Sequence, residues 1–136
     1  MNNIHGHCLC GMIECEIKEY GNFIYVCHCK MCRRQFGGPA HAVDPGTSKN
    51  FMITKGQEFV KLYQSSNDVE RGFCSQCGTR LFWHKQSDDH YCVSAGLFDD
   101  ITANGKLQLE LFYDKKPDYY SYQQETKKMD SSYQEI

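Results

Sequence analysis

The chain has 136 residues, a formal net charge of -2 and 40% hydrophobic residues, values that describe one globular domain of ordinary size. A near-neutral charge without a long basic run disfavours a nucleic-acid binder that depends on phosphate contacts, and equally a membrane-surface protein. Residues 1–7 lack the pattern of a secretory signal and no stretch approaches the roughly 18 apolar residues of a membrane span, so we expect a cytoplasmic protein.

The hydrophobic pattern along the chain is mostly that of β-strands. Residues 12–17 alternate, with Ile13, Cys15 and Ile17 on one face, as in a half-buried strand. No window carries an apolar stripe of helical period, and residues 30–36 are expected to form only one short helical turn. Further β-rich runs predict an all-β domain of about eight strands. These runs lie at residues 23–26, 51–54, 58–63, 79–83, 90–94 and 107–113.

The C-terminal third carries two further signals. The dipeptide Asn104-Gly105 predicts a tight hairpin turn before the last long strand. The chain is polar from Gln123 onwards, so residues 123–136 are expected to fray as a C-terminal tail. Residues 1–122 then form the single folded domain.

Nine cysteines are present, and seven of them fall in three tight clusters with the spacing of metal ligands. In a reduced cytoplasm such clusters bind metal more often than they form disulfides. Four thiolates close a tetrahedral zinc shell and make a structural site, whereas three protein ligands leave a position open, as in catalytic zinc sites. The seven clustered cysteines therefore suggest one structural zinc with four cysteine ligands and one catalytic zinc with three. The clusters are Cys8-X-Cys10, Cys27-X-Cys29-X-X-Cys32 and Cys74-X-X-Cys77.

The two outer pairs could supply four thiolates from distant parts of the chain. Cys8 and Cys10 would project from the same face of a strand, and Cys74 and Cys77 would flank a knuckle turn that Gly78 relieves. A structural zinc contributes roughly 10–16 kcal/mol in small peptides, so loss of one ligand should appear as a folding defect. A redox dithiol at Cys74 and Cys77 is the weaker alternative, because a thioredoxin-type motif belongs in a βαβ context and none is visible.

The middle cluster can bring three sulfurs together from one short loop. A substrate thiol that entered an open position on a zinc held there would lose its proton and become a nucleophile. The zinc could alternatively polarise a carbonyl group. The competing interpretation is that a fourth protein ligand closes the site. The candidates for that ligand are His28, His41, His84 and Cys92.

Two arginines and two isolated cysteines complete the set of candidate residues. Arg33 and Arg34 follow the middle cluster, and because arginine forks suit carboxylates they are candidates for substrate binding. The alternative is that both are solvated surface charges. Cys15 and Cys92 lie outside the clusters and are expected in the core.

Three motifs in the chain resemble those of the glutathione-dependent formaldehyde-activating enzyme family, which also includes centromere protein V. The likeness runs from about residue 6 to about residue 122, and order, spacing and flanking residues all match. The motifs are Gly6-His7-Cys8-Leu9-Cys10-Gly11, Cys27-His28-Cys29-Lys30-Met31-Cys32-Arg33-Arg34-Gln35-Phe36-Gly37 and Phe73-Cys74-Ser75-Gln76-Cys77-Gly78-Thr79-Arg80-Leu81-Phe82.

This resemblance implies a zinc-bound β-tent of antiparallel strands with zinc knuckles. It implies that glutathione is the thiol substrate, and that the reaction joins it to formaldehyde as S-(hydroxymethyl)glutathione, in the class of carbon–sulfur lyases. Glu110 stands where a family histidine is expected. A non-catalytic zinc scaffold or protein-interaction module on the same fold stays open as the alternative. The implied ligands are Cys8, Cys10, Cys74 and Cys77 for the structural zinc, and Cys27, Cys29 and Cys32 for the catalytic zinc.

Overall fold

The computed structural model of the chain describes residues 2–136. Strands in two sheets make up most of the regular structure, which confirms the all-β prediction. Neither α-helix in this part of the chain has the length and apolar character that crossing a bilayer requires. The α-helices are α1 (Lys30–Phe36) and α2 (Asp99–Asn104), and short 3-10 turns lie at Gln57–Phe59, Ala95–Leu97 and Tyr113–Lys115. The strands are β1 (Asn2–His7), β2 (Glu14–Tyr20), β3 (Phe23–Cys27), β4 (Ala40–Gly46), β5 (Phe51–Lys55), β6 (Val60–Ser66), β7 (Val69–Cys74), β8 (Arg80–Lys85), β9 (His90–Ser94), β10 (Lys106–Leu111) and β11 (Lys127–Lys128).

Side chains from the two sheets share one hydrophobic core. The smaller sheet has the order β1-β2-β5, and the larger has the order β11-β10-β3-β4-β9-β8-β7-β6. Ile13 and Ile17 are fully buried and Cys15 is 2% exposed, as the alternating pattern predicts. They belong to the same cluster as Val43 and Val93 of the larger sheet. One face of the larger sheet therefore supports the core, and its opposite face is left for other contacts.

Helix α1 begins and ends as the sequence dictates. The Cys29 sulfur accepts a hydrogen bond from the Cys32 backbone N–H at 3.3 Å and so caps the first turn. Gly37 ends the helix in the left-handed conformation, with φ of 76°, which glycine adopts without steric cost. The predicted helical turn at residues 30–36 is confirmed. Its cap places two cysteines of the middle cluster side by side.

The hairpin predicted at Asn104-Gly105 is wrong. Residues 99–104 form helix α2, and Gly105 is extended, with φ of -66° and ψ of 146°. A Cβ on Gly105 would lie 2.5 Å from the Ile101 carbonyl oxygen, so this glycine permits close packing rather than a turn. The following strand β10 pairs with β3 in parallel, which makes the larger sheet mixed instead of purely antiparallel. Parallel partners need a long connection, and here most of the domain lies between the two strands.

The C-terminal segment is hydrogen-bonded to the sheet instead of fraying. Strand β11 pairs with β10, and the Met129 backbone N–H donates to the Glu110 carbonyl oxygen at 2.9 Å. The Ile136 N–H donates to the Lys128 carbonyl oxygen at 2.9 Å. An edge strand offers unpaired backbone groups whatever the side chains are, so polar composition alone did not reveal this docking.

The packing of the larger sheet can be tested at Gly72, which lies in close contact with an aromatic ring. A Cβ at Gly72 would lie less than 3.0 Å from the ring of its cross-strand partner Phe82, which is itself packed against Phe51 and Tyr91. We expect Gly72→Ala to lower the free energy of unfolding by about 1–3 kcal/mol, measured by urea denaturation. Gly96→Ala is the matched control, because a Cβ there meets nothing within 4 Å. Equal stability of the two variants would contradict the packing described.

Candidate active site

The four outer cysteines converge at one point between the two sheets. The sulfurs of Cys8, Cys10, Cys74 and Cys77 all lie within 4.8 Å of one another. Cys8 and Cys10 are separated by 3.6 Å, and Cys10 and Cys74 by 3.8 Å. A tetrahedral zinc with bonds of about 2.3 Å would separate its sulfur ligands by roughly 3.8 Å. Donor type, number and spacing in this cluster therefore fit a metal ion.

Two tight turns hold these sulfurs. The Ile13 backbone N–H points at the Cys8 sulfur at 3.4 Å, and the Gln76 N–H points at the Cys74 sulfur at 3.4 Å. Burial opposes ionisation of the Cys8 thiol, but hydrogen bonds from the Ile13 N–H and from Cys10 lower its pKa. Gly78 has φ of 79°, so its lack of a Cβ lets the chain leave the second turn. The cluster thus joins the turn after β1 to the turn between β7 and β8.

The middle cluster is a group of three sulfurs. Cys27 ends β3, Cys29 caps α1 and Cys32 lies in its first turn, and the three sulfurs are within 4.8 Å of one another. Within residues 2–136 no other histidine, cysteine or carboxylate joins this group at that distance. The proposed fourth ligands have other neighbours. His28 hydrogen-bonds to Glu110 and Tyr120, His41 to Tyr122, and His84 to Glu70 and Asp89, while Cys92 lies beside His90.

Hydrogen bonds among the three thiols shift their pKa values in different directions. Hydrogen bonds from Cys27 and Cys32 lower the pKa of the Cys29 thiol to about 2. Hydrogen bonds with Cys29 and Cys32, together with burial, raise the pKa of the Cys27 thiol. The group therefore accepts one negative charge readily and resists further ones. A bound cation would remove that resistance, which is the behaviour expected of a thiolate metal site.

Arg71 is a site residue that the sequence reasoning missed. It is 5% exposed, and its Nη1 atom lies 3.7 Å from the Cys32 sulfur and 2.8 Å from the Gln35 side-chain oxygen. In the described part of the chain no carboxylate lies within ion-pair distance of this guanidinium. A buried charge is costly unless it is compensated. The neighbouring Cys29 thiol, whose pKa is lowered by hydrogen bonds from Cys27 and Cys32, supplies that compensation when it is ionised.

Hydrogen bonds of the buried His28 side chain hold the loop that carries the middle cluster. The ring is fully buried, its Nε2 atom is 2.8 Å from the Glu110 carboxylate, and its Nδ1 atom is 2.7 Å from the Tyr120 hydroxyl. Burial lowers the pKa of His28. Glu110 is 2% exposed and also accepts a hydrogen bond from the Thr126 hydroxyl at 2.5 Å. The loop between Cys27 and Cys29 is thereby tied to β10 and to the C-terminal segment.

The two arginines predicted to bind substrate lie away from the cluster's open side. The Arg33 Nε atom donates to the His28 carbonyl oxygen at 2.9 Å. Arg34 is exposed and lines a separate recess beside Arg80 and His41. Neither arginine lines the cavity next to the three sulfurs. Their role in substrate binding stays a prediction.

A cavity of about 610 Å³ opens beside the middle cluster. This volume lies within the roughly 300–1,000 Å³ usual for small-molecule sites. Cys27, Cys29 and Cys32 line it, as does Cys92, which is half-buried at this surface and not in the core as predicted. Its charged lining residues are Asp44, Arg71, Lys85, Asp88 and His90, counting the histidine.

The Glu110 contacts can be tested by comparison with an exposed pair. Glu110→Ala would leave the buried His28 ring and the Thr126 hydroxyl without their acceptor, so we expect a loss of about 2–4 kcal/mol in the free energy of unfolding. Glu14→Ala removes a carboxylate paired with Lys55 at the surface, and there we expect a loss of about 0–1 kcal/mol. Chemical denaturation of both variants checks this. If Glu110→Ala lowered the free energy of unfolding as little as Glu14→Ala does, Glu110 would not hold the cysteine loop in place.

Two named proteins and one crystal structure are similar to this chain. A lyase of Schizosaccharomyces pombe, named as uncharacterised, is 31% identical over 131 residues, covering 93% of this chain and 90% of the relative. A Halomonas elongata protein, provisionally named a glutathione-dependent formaldehyde-activating enzyme, is 24% identical over 123 residues, covering 85% and 78%. A crystal structure of a Rhodobacter sphaeroides protein has a TM-score of 0.63 at 23% identity, covering 76% and 97%, and supports the fold alone.

The family model described as glutathione-dependent formaldehyde-activating enzyme matches residues 3–115. That range contains all seven clustered cysteines, Arg71 and Glu110. The chain therefore belongs to the glutathione-dependent formaldehyde-activating enzyme family.

Proposed function

We propose that this protein is a zinc-dependent carbon–sulfur lyase-like enzyme that joins formaldehyde and glutathione into S-(hydroxymethyl)glutathione. Family membership and the names of the two relatives support this chemistry. The observation that carries the proposal is the three-sulfur group beside a cavity of small-molecule size. A purely structural site would close its shell with four protein ligands.

The proposal assigns the metal ligands by cluster. Cys8, Cys10, Cys74 and Cys77 would hold a structural zinc, and their sulfur spacing supports this. Cys27, Cys29 and Cys32 would hold a catalytic one. When bound there, zinc supplies Lewis acidity and a position at which a thiol is readily deprotonated.

The chain's own residues prepare the site for a thiol and a small aldehyde. Arg71 balances the negative charge of the cysteine group from within the sheet, and His28 with Glu110 fixes the loop that carries two of the sulfurs. The cavity holds the two reactants together, which converts an encounter in solution into a reaction between neighbours. A carbon–sulfur bond forms, the carbon–oxygen double bond becomes single, and the proton lost by the thiol ends on the oxygen.

Glutathione is the proposed thiol partner, and a cytoplasmic location suits it, because thiols stay reduced there. Arg33 and Arg34 are proposed to contact substrate carboxylates that extend beyond the cavity. The domain proposed for this activity is residues 1–122, with 123–136 as a C-terminal segment.

Separate substitutions in the two clusters test the proposal. We expect Cys29→Ser to remain folded, to lose one of two zinc ions and to reduce the exchange between formaldehyde and glutathione to the spontaneous rate. We expect Cys74→Ser to unfold, because a structural zinc contributes roughly as much as the whole stability of a domain. Nuclear magnetic resonance exchange spectroscopy, metal analysis and thermal melting measure the three properties. Cys15→Ala, in the core and outside both clusters, is the control and should retain two zinc ions and full activity.

Two outcomes would contradict this proposal. Wild-type protein loaded with zinc that gives no rate above the spontaneous one would refute the proposed reaction. Unfolding of Cys29→Ser would instead favour a non-catalytic scaffold in which both metal ions stabilise the fold.

A further inference from the structure

We propose that Asp44, Lys85 and His90 form a subsite that binds the charged α-amino-acid end of the thiol substrate. These residues lie in the same cavity as the three-sulfur group. The inference rests on the proposed function, and it specifies which end of glutathione lies at the far side of the cavity. That end is the γ-glutamyl group, which carries both an ammonium and a carboxylate.

Strand periodicity places these residues on the surface that faces the cavity. Side chains at alternate positions of a strand share a face. His90, Cys92 and Ser94 of β9 line the cavity, as do Trp83 and Lys85 of β8. Asp44 does the same from β4, two positions after Ala42, which also lines it. The intervening Val43 and Val93 are fully buried in the core on the other face.

Asp44 and His90 are fixed in place by neighbouring groups. The His90 Nε2 atom lies 2.8 Å from both carboxylate oxygens of Asp44. The Gly46 backbone N–H donates to the Asp44 carboxylate at 3.0 Å, and the Asp44 N–H donates to the Tyr20 hydroxyl at 3.2 Å. The Trp83 ring packs edge-on against His90, with centroids 5.8 Å apart. A site ordered before the ligand arrives loses less entropy on binding.

Lys85 supplies the positive charge beside this pair. It is the direct cross-strand neighbour of His90. Its ammonium lies 3.7 Å from the Asp88 carboxylate, and the two side chains are 44% and 55% exposed, so this contact is loose and can be exchanged. The far side of the cavity thus offers carboxylates to an ammonium and a cation to a carboxylate. A ligand end that carries only a carboxylate, like the glycine end of glutathione, would offer no ammonium to the carboxylates of Asp44 and Asp88.

The distance between the two ends of the cavity suits the reach from the thiol of glutathione to its γ-glutamyl end. Arg71, which touches Cys32, pairs with Trp83, and Trp83 pairs with Cys92, so Arg71 and Cys92 are two strand spacings apart. Two spacings amount to roughly 10 Å. The Cys92 sulfur lies 3.9 Å from the His90 Nε2 atom. In glutathione seven covalent bonds separate the thiol sulfur from the α-carbon of the γ-glutamyl group, an extended reach of roughly 9 Å. A thiol placed at the sulfur group can therefore have its amino-acid end at His90.

Binding measurements with two matched thiols test the subsite. N-acetylcysteinylglycine lacks the charged α-amino-acid group of the γ-glutamyl end together with one methylene, whereas γ-glutamylcysteine keeps that group and lacks glycine. With zinc-loaded protein and no formaldehyde, we expect Asp44→Asn to weaken glutathione and γ-glutamylcysteine binding about tenfold, as loss of a hydrogen bond to a charged group does. The Kd for N-acetylcysteinylglycine should change less than twofold. Lys85→Gln should give the same pattern.

The control variant is Asp118→Asn, which removes an exposed carboxylate outside the cavity and should change none of the three Kd values. Thermal melting verifies that each variant is folded. An unchanged Kd for glutathione in Asp44→Asn, or an equal loss for all three thiols, would overturn the subsite. Because these are binding measurements, they remain informative if formaldehyde exchange is absent. Thiol-dependent losses without any exchange activity would support the subsite while refuting the proposed reaction.

Discussion

The convergence of four sulfur atoms from two distant turns is the constraint on which the other features depend. Cys8 follows a strand of the smaller sheet, and Cys74 is the last residue of β7 in the larger one. The same strand β7 carries Arg71, whose guanidinium touches the Cys32 sulfur. Fixing one end of β7 at the outer cluster therefore also positions the charge that faces the middle cluster. The two cysteine groups are linked through β7, because Arg71 and Cys74 lie three positions apart on that strand.

The alternation of side chains along its strands gives the larger sheet two different faces, one buried in the core and one lining the cavity. Val43 and Val93 point to the core, whereas Asp44 and Cys92, their neighbours in sequence, line the cavity. Hydrophobic burial on one face can then support a polar, charged surface on the other. The buried contacts of His28 with Glu110 complete this arrangement, because they hold the cysteine loop without occupying the cavity side. Glu110, at the position where a family histidine was expected, accepts hydrogen bonds from the buried His28 ring and the Thr126 hydroxyl.

Local chemistry in the sequence predicted most of what depends on neighbours along the chain. The cysteine spacing indicated the three clusters, and Cys29 and Gly37 delimit the one helix that was expected. Features that depend on distant contacts were missed. The predicted β-rich runs included neither β4 nor β7. These strands carry Pro45, Arg71 and Gly72, residues that break a simple alternating pattern. Their burial becomes evident only when the partner strands are known.

Two errors have the same physical origin. Gly105 was interpreted as a turn residue, but its missing side chain makes room for Ile24 and for the end of helix α2. The C-terminal segment has polar side chains, but backbone groups tie it to β10. Close approach and backbone pairing are properties of the assembled fold, so composition could not reveal them. Arg71 belongs to the same class, since a buried arginine is stable only beside a charge that the sequence does not place near it.

Whether each cysteine cluster binds zinc can be measured by anomalous diffraction at the zinc absorption edge, from crystals of protein purified without chelator. We predict two peaks in each chain, one surrounded by the sulfurs of Cys8, Cys10, Cys74 and Cys77, and one bound by Cys27, Cys29 and Cys32 with its remaining position facing the cavity. A single peak at the outer cluster, or a fourth protein ligand at the middle one, would contradict the division between a structural and a catalytic site.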